Sequence, residues 1–376
     1  MIGRGSPRPQ PTRKHLAQPI FGNTPLRRAG TSDCVPLHDL SVCMSSTRKV
    51  MICGDIVWAH DEVKSMLGGL AEVVRMDSRS RAAFYEDLEG KYAGTVAIYR
   101  HNSSASYIDV FDEDLISHLP ESVKLIGHNG AGYDQIDVNA CARKGITVTN
   151  TPGAVDIGTA TTALYLLIST VRQYSIAERQ ARTGDWKNGL KPAHDPSALS
   201  LGILGLGGIG LTLAKYAHGF PMKATYYYSR NPVPDCPDWI EYCHSMEELL
   251  QKSDVISLHV PLKPETTGLI GKKEFAMMKK GAILINTARG KVLDEEALID
   301  ALKSGQLSAA GLDVYPDEPK INPALLEFRN VTLLPHMGTE TQESQKTMEI
   351  RALENIRVYL TGGTPRDIIP ECQHMK

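Results

Sequence analysis

Residues Ser200 to Arg230 read SLGIL-GLGGIG-LTLAKYAHGF-PM-KATYYYSR. A short apolar run, a tight glycine cluster, an amphipathic segment and a second apolar run follow in order, which predicts strand, turn, helix and strand. Gly-x-Gly-x-x-Gly alone is weak, because glycines punctuate many surface loops. Between a strand and a helix it acquires a mechanism. Gly205 allows the tight turn, Gly207 lets the backbone approach a pyrophosphate, and Gly210 lets helix and strand pack closely. The pyrophosphate would rest on the free N–H groups of the helix N-terminus, where the helix dipole favours negative charge. The bland alternative is a glycine-rich loop with no ligand.

The surrounding chain supports a large α/β protein. Its 376 residues suffice for two domains with buried cores. Lys plus Arg number 41 against 43 Asp plus Glu, so no global charge points to nucleic acid or membrane as the main partner. Seven cysteines are scattered without a C-x-x-C pair, which indicates neither a disulfide framework nor a zinc site; no metal is expected, and a reducing compartment such as the cytoplasm is the simpler reading. The uncharged run from Ile157 to Val171 is shorter than the roughly 20 residues of a membrane span. It predicts a buried or interface helix.

Residues 1–43 differ from the rest, with six prolines, six Arg or Lys and no acid before Asp33. This composition predicts a disordered leader or an upstream extension of a chain starting at Met44. A mitochondrial transit peptide is the competing reading, though the prolines oppose the amphipathic helix it needs.

From Val50 strands and helices alternate. Strands are predicted at Val50–Cys53, Val96–Tyr99, Lys124–Gly127 and Thr147–Thr149, with helices at Glu62–Leu70, Asp112–His118 and Val138–Lys144. A long helix from Asp156 to Tyr174 reads as a crossover. The second half repeats the pattern, with strands at Val255–Val260, Ala282–Asn286, Ala309–Leu312 and Val331–Leu334, and helices at Met246–Gln251, Lys273–Lys279 and Glu295–Ser304. Alternation of this kind predicts parallel βαβ units. In the last helix, Glu343–Leu360, Ile350, Leu353, Ile356 and Leu360 make one apolar face, which is expected to pack back on the first domain. The expected division is 44–151 plus 336–376 as a substrate domain and 152–335 as a dinucleotide-binding domain.

In doubly wound folds ligands gather at the carboxyl ends of strands. Arg289, Glu318 and His336 each stand in a loop after a predicted strand, Glu318 and His336 lying 29 and 47 residues beyond Arg289. Arg offers a bidentate grip on a carboxylate. Hydride addition to a carbonyl leaves an alkoxide to be protonated, and His is the usual donor near neutral pH. A carboxylate on the second imidazole nitrogen favours the protonated ring and fixes its orientation. Singly, each is more often a solvated loop residue. Together with the glycine loop they form a constellation.

The motifs HNGAGYDQID, TNTPGAV, LGILGLGGIG, SDVISLHVPL, ILINTARG, AAGLDVYPDEP and LLPHMGTET resemble, in order, those of the D-isomer-specific 2-hydroxyacid dehydrogenases. The resemblance runs from about Val50 to the end. It implies an α/β fold of two doubly wound parallel-sheet domains, a flavodoxin-like substrate domain and a Rossmann coenzyme domain, with a cleft between them. By it Arg289 holds substrate, His336 is the acid/base and Glu318 its partner. Ala131 and Gly132 bind the substrate carboxylate through backbone N–H groups. Asp313 orients the nicotinamide, and Thr159, Gly205, Gly207, Gly208, Ile209, Gly210, His259, Pro261, Thr287, Ala288, His336 and Gly338 line the cofactor site. A homodimer is also implied, with the Thr-rich helix and the segment after it at the interface. Thr161 and Ala198-Leu199-Ser200 depart from the family pattern near the hinge.

An NAD-selective site would carry Asp or Glu at the end of the second strand. Tyr228 stands there, 18 residues past Gly210, followed by Ser229 and Arg230. With no carboxylate to repel a 2′-phosphate, and with Ser229 and Arg230 to bind one, NADP(H) is expected over NAD(H). HNGAGYDQID and PHMGTET are most similar to the glyoxylate/hydroxypyruvate reductases, whereas LISHLP and ERQARTGDW resemble D-mandelate dehydrogenases; a branched 2-oxo acid is a further alternative. Tyr99 and Arg100, ending a strand of the first domain, are expected to line the substrate pocket, and their polarity favours small acids. A non-enzyme alternative is a C-terminal-binding-protein-like corepressor, which resembles the same family, keeps Arg, Glu and His, and favours NAD(H).

Overall fold

The computed structural model describes residues 48–220 and 222–375. The leader at 1–43 lies outside them. Among the described residues twelve strands form two sheets, and every pairing between strands is parallel. The first sheet contains β1 (Lys49–Cys53), β2 (Glu72–Arg75), β3 (Thr95–His101), β4 (Leu125–Asn129) and β5 (Thr147–Thr149), in the order β2-β1-β3-β4-β5. That is the flavodoxin-like order.

The second sheet contains β6 (Ser200–Leu204), β7 (Ala224–Tyr228), β8 (Ile240–Tyr242), β9 (Val255–Leu258), β10 (Ala282–Asn286), β11 (Leu307–Leu312) and β12 (Val331–Leu333). Its order, β12-β11-β10-β9-β6-β7-β8, reverses direction between β6 and β9, as in a Rossmann sheet. The pattern of each strand reflects its place. Central β6, β9 and β10 are buried at every position, because helices cover both faces, and each is apolar but for one residue, Ser200, Ser257 and Asn286. Outer β7 alternates, Tyr226 and Tyr228 being less buried than Thr225 and Tyr227.

Short edge strands β2 and β8 carry too few residues to show a period, and sequence periodicity misses both. It also misses the helix Arg81–Glu89, although Ser80 caps it by accepting the Ala83 N–H at 3.2 Å. The crossover helix ends at Val171, three residues before the expected Tyr174. Gln173 adopts the left-handed conformation at φ 57°, which turns the chain into a separate helix, Tyr174–Thr183.

Helix Gln342–Leu360 lies on the first sheet, with Ala352, Leu353, Ile356 and Leu360 in one core with Val50, Ile52, Ala97, Tyr99 and Leu125. Glu349 on this helix is 3% exposed and caps the loop after β1. Its two oxygens accept the N–H groups of Val57 at 2.8 Å, Trp58 at 2.9 Å and Ala59 at 2.8 Å. Gln345 adds a bond from Trp58 Nε1 at 2.7 Å. Glu349→Ala strands three donors, the buried Ala59 N–H among them, so urea unfolding should show a loss of about 2–4 kcal/mol. An unchanged midpoint would refute this role.

Candidate active site

The carboxyl ends of β9, β10, β11 and β12 deliver the polar residues to one edge of the second sheet. After β10, Asn286 locks the turn: its Oδ1 accepts the Ala288 N–H at 3.0 Å and its Nδ2 donates to the Arg289 carbonyl at 3.0 Å. Arg289 then reaches the first sheet, where its Nε donates to Asp134 Oδ1 at 2.9 Å while Nη1 donates to the Ala288 carbonyl at 2.8 Å. Nη2 lies so close to Gly132 that a Cβ there would sit 1.9 Å from it. A side chain at Gly132 would displace the guanidinium.

The loops after β11 and β12 are tied together. Asp313 is buried, and its carboxylate accepts the N–H groups of Met337 at 2.6 Å and Gly338 at 2.9 Å. Burial raises the Asp313 pKa despite those bonds. Tyr315 donates its hydroxyl to the Leu334 carbonyl at 2.8 Å. Glu318 divides its oxygens, one accepting the Tyr315 N–H at 2.9 Å and the other meeting His336 Nδ1 at 2.7 Å. His336 holds φ 58°, a region few non-glycine residues occupy and one that recurs at functional sites. The Glu318 hydrogen bond raises the His336 pKa above 6.5, against burial and the nearby Arg289 charge. Burial pushes Glu318 up, but the bonds from His336 and Tyr315 outweigh it and leave its pKa below 4.5.

Facing Arg289 is the loop after β4. The Gly130 carbonyl accepts the Thr151 N–H at 3.0 Å, the Ala131 carbonyl accepts Asn150 Nδ2 at 2.8 Å, and the Gly132 carbonyl meets His128 Nε2 at 2.9 Å. In a trans peptide the N–H points opposite to the C=O. Anchoring three successive carbonyls therefore turns the N–H groups of Ala131, Gly132 and Tyr133 the other way. Among the described residues these three donors find no acceptor. Such a run of free N–H groups, a nest, can bind an anion.

The glycine loop fits a dinucleotide. Gly205 takes φ +96° and a Cβ there would meet the His259 carbonyl oxygen at 2.8 Å, while Gly207 faces open space with nothing within 4 Å of a Cβ. At Gly210 a Cβ would fall 2.3 Å from the Gly205 carbonyl oxygen, so helix Gly208–Gly219 packs onto the turn as the motif requires. Gly207 and Gly208 are exposed and Ile209 is half-buried. Thr287 Oγ1 and His259 Nδ1 are buried polar atoms without partners, of the kind a bound group would satisfy. His259 Nε2 bonds Ser257 at 2.8 Å, and burial pushes its imidazole down to about 4. Ala288 and exposed Pro261 flank the same edge.

Several expected contacts fall elsewhere. Tyr99 and Arg100 do not line the cleft: both are fully buried. Tyr99 bonds Asn129 and the Asp55 carbonyl, and Arg100 turns to the opposite face of the sheet, against Asn102, His128 and Gln135. Neighbouring residues of a strand point to opposite faces, so both could not face one pocket. Thr159 donates to the Gly338 carbonyl at 3.2 Å, and the Gly338 N–H goes to Asp313, so these groups tie the loop to the crossover helix instead of standing free. Ser229 directs its hydroxyl to the Asn231 carbonyl at 2.6 Å, leaving Arg230, exposed and with no ion pair among the described residues, as the available donor.

Sequence reading also missed Asp134 and Asp156. Asp134 stands inside the quoted motif, but its pairing with Arg289 across 155 residues leaves no local signal. Asp156 places a carboxylate against the helix N-terminus, where a Cβ at Gly208 would fall 2.0 Å from its Oδ2.

A Rossmann sheet with an open glycine cradle, facing a paired imidazole and an arginine, defines a nicotinamide-dependent dehydrogenase. Comparison with known proteins makes this specific. Residues 164–338 match the family model of the D-isomer specific 2-hydroxyacid dehydrogenase, NAD binding domain. A 4-methyl-2-oxopentanoate reductase A of Aspergillus oryzae is 41% identical over 322 residues, covering 85% of this chain and 97% of its own. The crystal structure of a glyoxylate reductase from Paecilomyes thermophila is 42% identical, with TM-score 0.84 over 87% of this chain and 100% of its own. The holo D-mandelate dehydrogenase of Rhodotorula graminis is 35% identical, with TM-score 0.81 over 86% and 98%. The chain belongs to the D-isomer-specific 2-hydroxyacid dehydrogenase family, oxidoreductases acting on the CH–OH group.

The Glu318–His336 pair has a pH signature. The raised His336 pKa contributes stability that is complete below 6.5 and lost as pH rises through the folded value. The lowered Glu318 pKa contributes stability present above 4.5 and lost as pH falls through the folded value. The pair therefore stabilises most between 4.5 and 6.5. In an NMR titration His336 should titrate above 6.5, and Glu318→Gln should lower its pKa. Equal values in the two proteins would dissolve the pair.

Proposed function

We propose that this protein is an NADPH-preferring reductase of small 2-oxo acids of the glyoxylate and hydroxypyruvate type, giving D-2-hydroxy acids. The observation that carries the reading is Arg289 set against Gly132, in a loop with three unpaired N–H groups, on an edge that also holds His336 paired with Glu318. Arg289 and the N–H groups of Ala131, Gly132 and Tyr133 bind the carboxylate, and Arg289 polarises the carbonyl. The nicotinamide, when bound, supplies the hydride. His336 Nε2 gives its proton to the carbonyl oxygen, while Nδ1–H stays on Glu318. One hydride and one proton convert the C=O to CH–OH. Gly205, Gly207 and Gly210 seat the pyrophosphate, and Thr287 and His259 offer buried polar atoms to the same ligand.

Size of the acid is a second question. The polar pocket expected from Tyr99 and Arg100 is gone, so the small-acid reading leans on similarity to the glyoxylate reductase. A branched or aromatic acid is favoured by likeness to the 4-methyl-2-oxopentanoate reductase and the mandelate dehydrogenase, and by the exposed apolar Met337 beside His336. A homodimer is supported by exposed Ile157, Tyr165, Tyr174 and Trp186 on the crossover helix and the segment after it. Free, mostly buried cysteines support a reducing compartment.

His336→Ala should lower kcat by about 10²-fold or more while the NADPH dissociation constant, read by fluorescence titration, stays within about twofold. Wild-type kcat in that variant would remove His336 from the chemistry. The cofactor reading rests on Arg230 and the absence of a carboxylate at Tyr228. NADPH should give the higher kcat/KM, and Arg230→Ala should reduce it about tenfold with little effect on NADH. Equal or better kcat/KM with NADH in the wild type would overturn the preference.

A further inference from the structure

Behind the loop after β4 lies a buried cation that the reaction leaves unused. Arg100, near the end of β3, has no exposed surface. Only neutral acceptors surround its guanidinium: Asn102 Oδ1, Gln135 Oε1 at 2.7 Å and His128 Nδ1 at 3.3 Å. The Phe111 ring centroid lies 5.5 Å away. Among the described residues Arg100 forms no ion pair. Burial lowers its pKa to about 10, so it remains charged at neutral pH. A buried charge whose nearest carboxylate, Asp134, acts only from a distance and is itself paired with Arg289 is expensive, and a fold that only needed to fill this space would use an apolar side chain.

Its hydrogen bonds give the charge a purpose. A guanidinium only donates, so His128 Nδ1 must accept. That leaves the proton on Nε2, which donates to the Gly132 carbonyl at 2.9 Å. His128 is fully buried and sits next to the cation, so it is held neutral in this one tautomer. The Gly132 carbonyl is thereby drawn towards His128, and the N–H of the same peptide, that of Tyr133, points away from it.

We propose that Arg100, acting through His128, is the positioning residue for substrate carboxylate binding: it fixes the tautomer that shapes the Ala131–Tyr133 nest and adds a buried positive charge behind the site of a bound carboxylate. The assignment rests on the reading of this loop as the carboxylate site of a 2-oxo acid reductase. It gives Arg100 a function without contact, in place of the direct contact expected from sequence. Asn102 shares Nη1 with His128 while Gln135 holds Nη2, so the fork geometry matters as well as the charge.

The test is steady-state kinetics with NADPH and a reducible 2-oxo acid, joined to calorimetry of oxamate, an unreactive carboxylate isostere, on the protein–NADPH complex. Arg100→Gln and His128→Phe should each raise KM for the acid and the oxamate dissociation constant about tenfold or more, with kcat and the KM for NADPH within about twofold. Arg100→Lys keeps the charge without the fork and should lie between Arg100→Gln and the wild type. A merely structural role predicts a smaller active fraction, with reduced kcat and unchanged KM, and that outcome would overturn the proposal. So would wild-type KM and oxamate affinity in the variants. If Arg100→Gln does not fold, His128→Phe decides by the same criteria. A wild type that reduces no 2-oxo acid removes the functional reading, and oxamate calorimetry on the same variants then still decides whether Arg100 governs anion binding.

Discussion

Parallel pairing is the constraint on which the rest depends. Each strand must be joined to the next by a connection that crosses a face of its sheet, so the carboxyl ends collect on one edge. Residues following β6, β9, β10, β11 and β12 thus meet although they are spread from Gly205 to His336. The first sheet obeys the same rule and offers the Asn129–Asp134 loop. The two edges are joined by Arg289 Nε on Asp134 at 2.9 Å. An arginine oriented from the other sheet is aligned only when both edges are together.

Electrostatics then separates three histidines of similar intrinsic basicity. Burial pushes His128 down to about 3 and His259 down to about 4. Only His336 rises, because Glu318 lies 2.7 Å from its Nδ1. A proton donor near neutral pH has to hold its proton, and of these three imidazoles only the surroundings of His336 favour that. The other two serve as neutral hydrogen-bonding groups.

Much of this was legible in the chain. Central strands such as SLGIL and AILIN are short, apolar but for one terminal residue each and bounded by glycine or polar turns, so the parallel core announces itself. Arg289, Glu318 and His336 were legible because each follows a recognisable strand within a motif. Strands β2 and β8 were not, since EVVR and IEY are too short for a period and lie toward sheet edges. The assignment of Tyr99 and Arg100 to the pocket failed because sequence marks the end of a strand without saying which residues the covering loop encloses. Asp134 was overlooked for the opposite reason: its motif was visible, but its partner belongs to the other sheet. Long-range pairings of side chains leave no periodic trace.

The central claim is that Arg289, His336 and the nest reduce a 2-oxo acid. It is tested most directly by following NADPH consumption by the wild-type protein with glyoxylate, hydroxypyruvate, 4-methyl-2-oxopentanoate and phenylglyoxylate, and by resolving the chirality of each chiral product. The account predicts turnover of at least one acid, with the D-enantiomer formed. No turnover of any of them, or formation of the L-enantiomer, would contradict it.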